Sequence, residues 1–143
     1  MGETEDPFEI VRTLLEATEK SYWERDFETF AKCFRMPHTI GSLEGDTLVE
    51  TREELRSIFD TMGAHYSALG ALALKREAQE AVFVDKDNLR VMFTTQQVLP
   101  NQVLTNKISF YSEVERVGND WQITLTRAVS SDETLGPSFI PER

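Results

Sequence analysis

The side chain best suited to acid–base chemistry in this sequence is His38, because an imidazole exchanges protons near neutral pH. It could act as a general acid or base towards a bound molecule. It could equally lie at the start of a strand with its ring hydrogen-bonded to backbone. The second histidine, His65, lies one residue off the apolar stripe of a predicted helix, so we expect it at the surface. His38 is therefore the candidate catalytic residue.

Arg127 is the candidate for binding an anion. In a strictly alternating strand it shares a face with Ile123 and Leu125, which would place its guanidinium on the apolar side. A buried guanidinium is costly without a partner. We therefore expect Arg127 to point inward and to pair with an internal acid, cap a pocket or bind an anionic ligand.

Aromatic and sulfur-containing side chains recur at helical spacing across three predicted helices. Such stripes usually form core, but ligand pockets are also mostly apolar with a few polar groups. Together with His38, Arg127 and the polar Gln96, these side chains make up a predicted site for an unidentified small organic ligand: Tyr22, Trp23, Phe30, Phe34, Met62 and Tyr66.

Several other kinds of chemistry are not supported by the residues present. Cys33 is the one cysteine, and we expect an inert buried thiol. No spacing of Cys, His and carboxylates suits a metal, and there is no glycine-rich phosphate loop, so no cofactor is predicted. The net charge is −10, with 15 basic against 25 acidic residues, which argues against nucleic acid and anionic membranes as partners.

The length and the distribution of apolar residues predict one cytoplasmic domain. The chain has 143 residues, the usual size of a single domain. Its acidic first residues do not resemble a signal peptide, and no apolar run is long enough to span a membrane. We expect a core over about residues 8–130 and an irregular C-terminal tail over residues 131–143.

Three helices are predicted in the first half of the chain. Apolar residues at helical spacing indicate a first helix over Pro7–Tyr22 and a second that begins after the N-cap Asp26 and ends near Arg35. The third is the best defined, because Thr51 begins a capping box and Gly70 is a typical residue just beyond a helix end.

A small hairpin around Gly45 lies between the second and third helices, and the second half of the chain has the two-residue period of strands. Long strands coil, and a coiled sheet has a concave face. The sequence therefore predicts an α+β domain in which three N-terminal helices pack on a long, curved antiparallel sheet and enclose a pocket. The predicted long strands are Leu72–Val84, Leu89–Leu99, Thr105–Val117 and Trp121–Ser130.

This order of elements resembles the nuclear transport factor 2-like superfamily, whose members have a cystatin-like cone. Three segments sharpen the resemblance: Trp23–Phe34 is similar to the entry of the family's second helix, Thr51–Phe59 to its capped third helix, and Asp120–Ser130 to its last strand. The resemblance covers most of the chain. It implies a cone-shaped fold but no single activity, since the superfamily contains isomerases, dehydratases, cyclases, epoxide hydrolases, oligomerisation domains and transport adaptors.

The resemblance also implies a homodimer that forms through the outer face of the sheet. Polar residues alternate with apolar ones along the third long strand and would cover that face. They are Thr105, Lys107, Ser109 and Tyr111.

The catalytic groups of characterised relatives do not transfer onto this sequence. Ketosteroid isomerase-like members use a carboxylate base where this chain has Ser42, and a helix-one tyrosine where it has Thr18. Glu113 lies near the family's sheet acid, but its alternation suggests the outer face. An Asp and His pair like that of SnoaL-like cyclases is not identifiable, and of the Asp-Arg-Asp set of limonene epoxide hydrolases only Arg127 has a counterpart.

Three functions therefore stay open. The first is a small-molecule-binding pocket protein without an assignable catalytic constellation. The second is an isomerase, dehydratase or cyclase acting on a small hydrophobic or carboxylate-bearing substrate, with His38 as acid or base and Arg127, Tyr66 or Gln96 assisting. The third is an oligomerisation or adaptor module.

Overall fold

The computed structural model of the protein describes residues 5–42 and 45–131, with all their side chains except those of Ser42, Ser130 and Ser131. The predicted tail therefore lies almost entirely outside the described residues. The three α-helices of this part of the chain are α1 (Pro7–Glu24), α2 (Phe27–Lys32) and α3 (Arg52–Leu69). Its strands are β1 (Phe34–Ser42), β2 (Gly45–Val49), β3 (Ala73–Asp85), β4 (Asn88–Leu99), β5 (Val103–Leu104), β6 (Ile108–Val117) and β7 (Asp120–Ser131).

The helix ends follow from local chemistry. The Asp6 side chain accepts a hydrogen bond from Phe8 N at 2.9 Å and begins α1. Thr51 Oγ1 accepts from Glu54 N, and Glu54 Oε1 accepts in return from Thr51 N, both at 3.1 Å, which confirms the predicted capping box of α3. No helix among the described residues is long and apolar enough to span a membrane.

The predicted end of α2 near Arg35 is wrong, because Phe34 already belongs to β1. Phe34 is paired with Ile123 of β7, and Ile123 N donates to Cys33 O at 2.7 Å. Pairing with the last strand therefore ends α2 several residues before Pro37 would have done so.

The strands form one sheet in the order β2-β1-β7-β6-β4-β3, with β5 added to β4. Only the β1–β7 pairing is parallel among the described pairs. The sheet is curved and unclosed, and the three helices pack against it. The third predicted strand began too early, because residues 103–104 form the short β5 and β6 begins at Ile108.

Register shifts interrupt the pairing of β1 with β7, of β3 with β4 and of β6 with β7, and an extra residue in a strand reverses the faces of the residues beyond it. In β3 the shift lies between Ala78 and Glu80. Ala81 is consequently buried, whereas Val82 and Val84 are exposed. Strict alternation from Ala78 would place these two valines on the inner face, and the extra residue in β3 moves them to the outer one.

The core on the inner side of the sheet is divided into three clusters. The α1 cluster joins α1 to the sheet, the α2 cluster joins α2 to β1, β2 and α3, and the α3 cluster joins α3 to the start of β3. Tyr22 packs against the second and third, and Phe34 against the first and second. Their largest members include Leu14, Leu15, Phe93 and Phe110 in the α1 cluster, Phe27, Phe30 and Phe59 in the α2 cluster, and Met62, Tyr66 and Leu74 in the α3 cluster.

Candidate functional site

The helices cover the inner face of the sheet unevenly. On β4, Val91 and Phe93 belong to the α1 cluster and are 1% and 7% exposed, whereas the next two inward positions, Thr95 and Gln97, are half-buried. Helix α3 packs mainly against α1 and α2 and makes few contacts with the sheet. The end of β4 therefore keeps accessible surface on its inner side, between the three core clusters.

Arg76 provides a positive charge on this inner face. It lies between Leu74 and Ala78 in the inward phase of β3, before the register shift. Its Nη2 donates to Leu15 O at 2.7 Å and to Thr18 Oγ1 at 2.9 Å. Its Nε is enclosed and has no hydrogen-bond partner among the residues that the structure describes. Within the described parts of the chain, no carboxylate forms an ion pair with Arg76.

The guanidinium of Arg76 is close enough to Tyr22, Tyr66 and Cys33 to act on their ionisation. Burial raises the pKa of the Cys33 thiol to about 11 and that of the Tyr66 hydroxyl to about 12, and the charge of Arg76 opposes both shifts. Burial likewise raises the pKa of Tyr22. At neutral pH both hydroxyls can therefore donate hydrogen bonds, and the thiol is not a nucleophile.

His38 is fully buried and holds the junction of β1 with β7. Its Nδ1 lies 3.2 Å from Ile123 O, in the stretch where the β1–β7 register shifts, and its ring packs edge-on against Phe34 at 4.9 Å. Nδ1 carries the proton, since a carbonyl can only accept. Nε2 therefore has a lone pair, and no described residue forms a hydrogen bond with it. Burial lowers the pKa of His38 to about 4, although the bond to Ile123 acts in the opposite direction.

The predicted aromatic residues come together around Tyr22. Its ring lies 5.3 Å from Phe30 and 5.2 Å from Tyr66, and Phe30 lies 4.7 Å from Phe34. Met62 is buried beside Tyr66 in the α3 cluster. These five predicted residues form one continuous wall contributed by α1, α2, α3 and β1.

Trp23 lies at the edge of this wall. It is 38% exposed, its Nε1 donates to Glu19 Oε2 at 3.0 Å, and its ring lies 5.7 Å from that of Tyr66. His65 is also nearer the interior than predicted, because its Nε2 lies 3.3 Å from Gln97 Nε2 and desolvation lowers its pKa. His65 and Gln97 therefore link α3 to the end of β4.

The inward position predicted for Arg127 is wrong. The β6–β7 register shifts between Glu113 and Val114, so that Ile123 faces inward while Arg127 faces outward beside Tyr111. There Arg127 pairs with Asp46, with Nη2 to Oδ2 at 2.9 Å and Nε to Oδ1 at 3.2 Å. One extra residue in the strand therefore moves this guanidinium to the opposite face.

Gln96 also lies on the outer face, where its Nε2 donates to Thr105 O at 2.9 Å. Its neighbour Gln97 takes the inward position instead. Arg76 was missed too, although the sequence carried a signal for it, since it falls two residues from both Leu74 and Ala78 in a strand already predicted to alternate.

The described inward positions of β3, β4, β6 and β7 contain no Asp or Glu. Glu113 faces outward, where its Oε2 accepts from the Tyr111 hydroxyl at 2.7 Å. The arrangement can therefore bind a molecule through aromatic surface, neutral donors and one guanidinium, but these four strands supply no carboxylate base.

Comparison with solved structures gives consistent neighbours at low sequence identity. A protein of unknown function with a cystatin-like fold from Nostoc punctiforme is 17% identical over 95% of this chain and 98% of that one, with a TM-score of 0.71. A nuclear transport factor 2-like protein of unknown function from Shewanella oneidensis is 15% identical, with a TM-score of 0.62 over 86% of this chain and 98% of that one.

A ketosteroid isomerase-like protein from Erwinia carotovora is 12% identical, with a TM-score of 0.60 over 89% of this chain and 99% of that one. No protein-family model matches the chain, and no curated protein matches it. At these identities the likeness concerns the fold. The chain has the cystatin-like fold of the nuclear transport factor 2-like superfamily, which confirms the resemblance seen in its sequence.

Proposed function

We propose that the protein binds a small organic molecule between the inner face of the sheet and α3. The observation that carries this proposal is the pair Thr95 and Gln97, which point inward and yet remain half-buried, where the preceding inward residues of β4 are almost completely enclosed. In a closely packed domain such positions would be filled by neighbouring side chains.

The composition of the surrounding wall supports a ligand site over unfilled core. Tyr22, Phe34 and Tyr66 supply aromatic surface, and Arg76, Gln97 and the two tyrosine hydroxyls supply hydrogen bonds. Apolar walls with a few convergent polar groups are typical of small-molecule pockets.

We favour binding over isomerase or cyclase chemistry. With a pKa of about 4, His38 is a weak base at neutral pH, and its Nδ1 is already committed to Ile123 O. Its lone pair at Nε2 suits a hydrogen-bond acceptor better than a proton acceptor. The ketosteroid isomerase-like neighbour supports the fold and does not outweigh this difference.

Binding can be tested with N-phenyl-1-naphthylamine, a neutral probe whose fluorescence increases in apolar surroundings. We expect saturable binding by the wild type. Thr95→Phe should abolish it, because the new ring would occupy the inward space. Thr94→Phe is the matched control, since Thr94 is the adjacent half-buried residue on the outer face. Circular dichroism and thermal melts verify that both variants fold.

Two results would overturn the proposal. The first is an absence of saturable probe binding to folded wild-type protein. The second is equal binding by the Thr95→Phe and Thr94→Phe variants, which would locate the probe elsewhere.

We also propose that a second copy of the chain covers the outer face of the sheet. An open groove of about 320 Å³ is lined there by Met92, Tyr111, Arg90, Val91 and Glu80. Thr105 and Lys107 precede β6, so the outer face of β6 begins at Ser109. Light scattering at micromolar concentration should give twice 16.4 kDa, and Met92→Glu should return the protein to 16.4 kDa. A wild-type mass of 16.4 kDa would refute the dimer.

A further inference from the structure

We infer that the molecule bound at the inner face carries a carboxylate, and that Arg76 is the residue that binds it. This inference rests on the proposed function, because it assigns a ligand class to the same site. The residue responsible was not singled out by the sequence pattern, and its environment differs from that of Arg127 and Arg116.

Among the described residues, no carboxylate forms an ion pair that would compensate the charge on Arg76. Arg76 is hydrogen-bonded to Thr18 and acts on Tyr22, Tyr66 and Cys33, all of which are neutral, and the acid in the same region is Glu19, which also acts on Tyr66. By contrast, Arg127 and Arg116 each lie in ion pairs with carboxylates. A guanidinium that is partly removed from water and has no anion beside it is unfavourable, so an anionic ligand would stabilise it.

Glu19 is the candidate counter-ion for Arg76 in this region, but its carboxylate already accepts two other hydrogen bonds. Its Oε2 accepts from Leu74 N at 2.8 Å and from Trp23 Nε1 at 3.0 Å. It forms no ion pair with Arg76 among the described contacts. Glu19 therefore closes the edge between α1 and β3 and leaves the guanidinium free for a ligand.

The donors of Arg76 are distributed as a ligand site would require. Nη2 is fixed by Leu15 O and Thr18 Oγ1, which holds the guanidinium in place. Nη1 makes no hydrogen bond among the described residues, whereas Nε, also without one, is enclosed and out of a ligand's reach. A held guanidinium with uncommitted N–H groups needs little reorganisation to bind a carboxylate.

The walls beside Arg76 indicate what the rest of the ligand is like. Tyr22 and Tyr66, whose rings lie 5.2 Å apart, place aromatic surface near the charge, and Phe30 and Phe59 pack behind Tyr22 in the α2 cluster. The hydroxyls of the two tyrosines stay protonated at neutral pH and can add donors. The site therefore fits an organic acid whose body is aromatic or aliphatic, and it does not fit a highly charged molecule.

Naphthalene-2-carboxylate and naphthalene-2-carboxamide test this inference, because they share one shape and differ in charge. Their affinities would be measured by calorimetry and by displacement of N-phenyl-1-naphthylamine at pH 7. We expect the wild type to bind the carboxylate at least about tenfold more tightly than the amide, as charge-assisted hydrogen bonds are stronger than neutral ones. Arg76→Gln should remove that preference, so that the carboxylate and the amide bind with similar affinity.

Lys75→Gln is the matched control, since Lys75 is the adjacent cation on the exposed outer face of β3 and should not affect the preference. If the amide and the neutral probe bind the wild type and the carboxylate has no advantage, the inference fails while the pocket stands. If none of the three molecules binds, the proposed function itself fails. The wild-type comparison decides the matter even if Arg76→Gln does not fold.

Discussion

Protonation of His38 should make the folded protein less stable as the pH falls below neutrality. The side chain is fully buried, with Nδ1 on Ile123 O and no partner for Nε2, so the folded state accepts a second proton poorly. Its pKa is about 4 in the folded protein against 6.5 for an unperturbed histidine. The unfolded chain therefore binds this proton first.

The sign and size follow from proton linkage. Above pH 6.5 both states are neutral at this residue and the term is absent. Between pH 6.5 and about 4 the unfolded state is protonated while the folded state is not, so stability is lost as the pH falls. For a folded pKa of about 4, the free energy of unfolding should decrease by about 2 kcal/mol between pH 7 and pH 5.

Urea unfolding at pH 7 and pH 5 measures this loss, with His38→Asn as the comparison. An asparagine amide can still donate to Ile123 O from nearly the position of Nδ1, but it does not titrate. The chain has two histidines, and His65, whose pKa is also lowered, contributes to both proteins and cancels in the difference. Carboxylates with lowered pKa values, such as Glu28 and Asp26, act mainly below this pH range.

The wild type should therefore lose about 2 kcal/mol more than His38→Asn over this range. Equal losses in the two proteins would refute the argument, because they would mean that His38 is protonated as easily in the folded protein as in the unfolded chain. A greater loss in the variant would also contradict it.

Three further substitutions test the packing described above. Thr51→Ala should cost about 1 kcal/mol in urea unfolding by removing the acceptor for Glu54 N, and a cost near zero would contradict the capping geometry. Met62→Ala should cost about 2–5 kcal/mol, because Met62 is only 8% exposed, and a markedly smaller loss would indicate that it borders open space. Arg127→Met should cost less than about 1 kcal/mol, since its pair with Asp46 is 37% and 46% exposed, and a loss of 3 kcal/mol or more would indicate a buried pair.

The three helices, the hairpin and the four long strands could be predicted in their order along the chain because their signals are local. Asp6, Thr51 and Gly70 carry the caps of α1 and α3 in their own side-chain or backbone chemistry. The end of α2 could not, because it depends on Ile123 binding Cys33 O from a strand 90 residues away. The end of α2, which the local sequence pattern predicted wrongly, is therefore set by a long-range strand pairing.

The candidate site was predictable in its apolar part and not in its polar part. The aromatic residues Tyr22, Phe30, Phe34 and Tyr66 lie in or beside helices, where a 3.6-residue period fixes the buried face over the whole element. Polar residues on the strands depend on a two-residue period, and a single inserted residue reverses it. The sequence pattern predicts Gln96 at the ligand site, whereas the inward residue is its neighbour Gln97. An error of one residue is enough to place a strand residue on the wrong face.

The two arginines show why the reversal matters for function. Arg76 precedes the register shift of β3 and keeps the phase of Leu74, so it faces inward without a carboxylate. Arg127 comes after the register shift of β7 and therefore lies on the opposite face from Ile123. It faces outward and pairs with Asp46. Shifts of this kind are expected in strands of 12 or 13 residues, because a long sheet curves around a core only by bending locally. The curvature that creates the inner face therefore also decides which charge lies on it, and a charged residue on such a strand can be assigned to a face only after the bulge before it has been located.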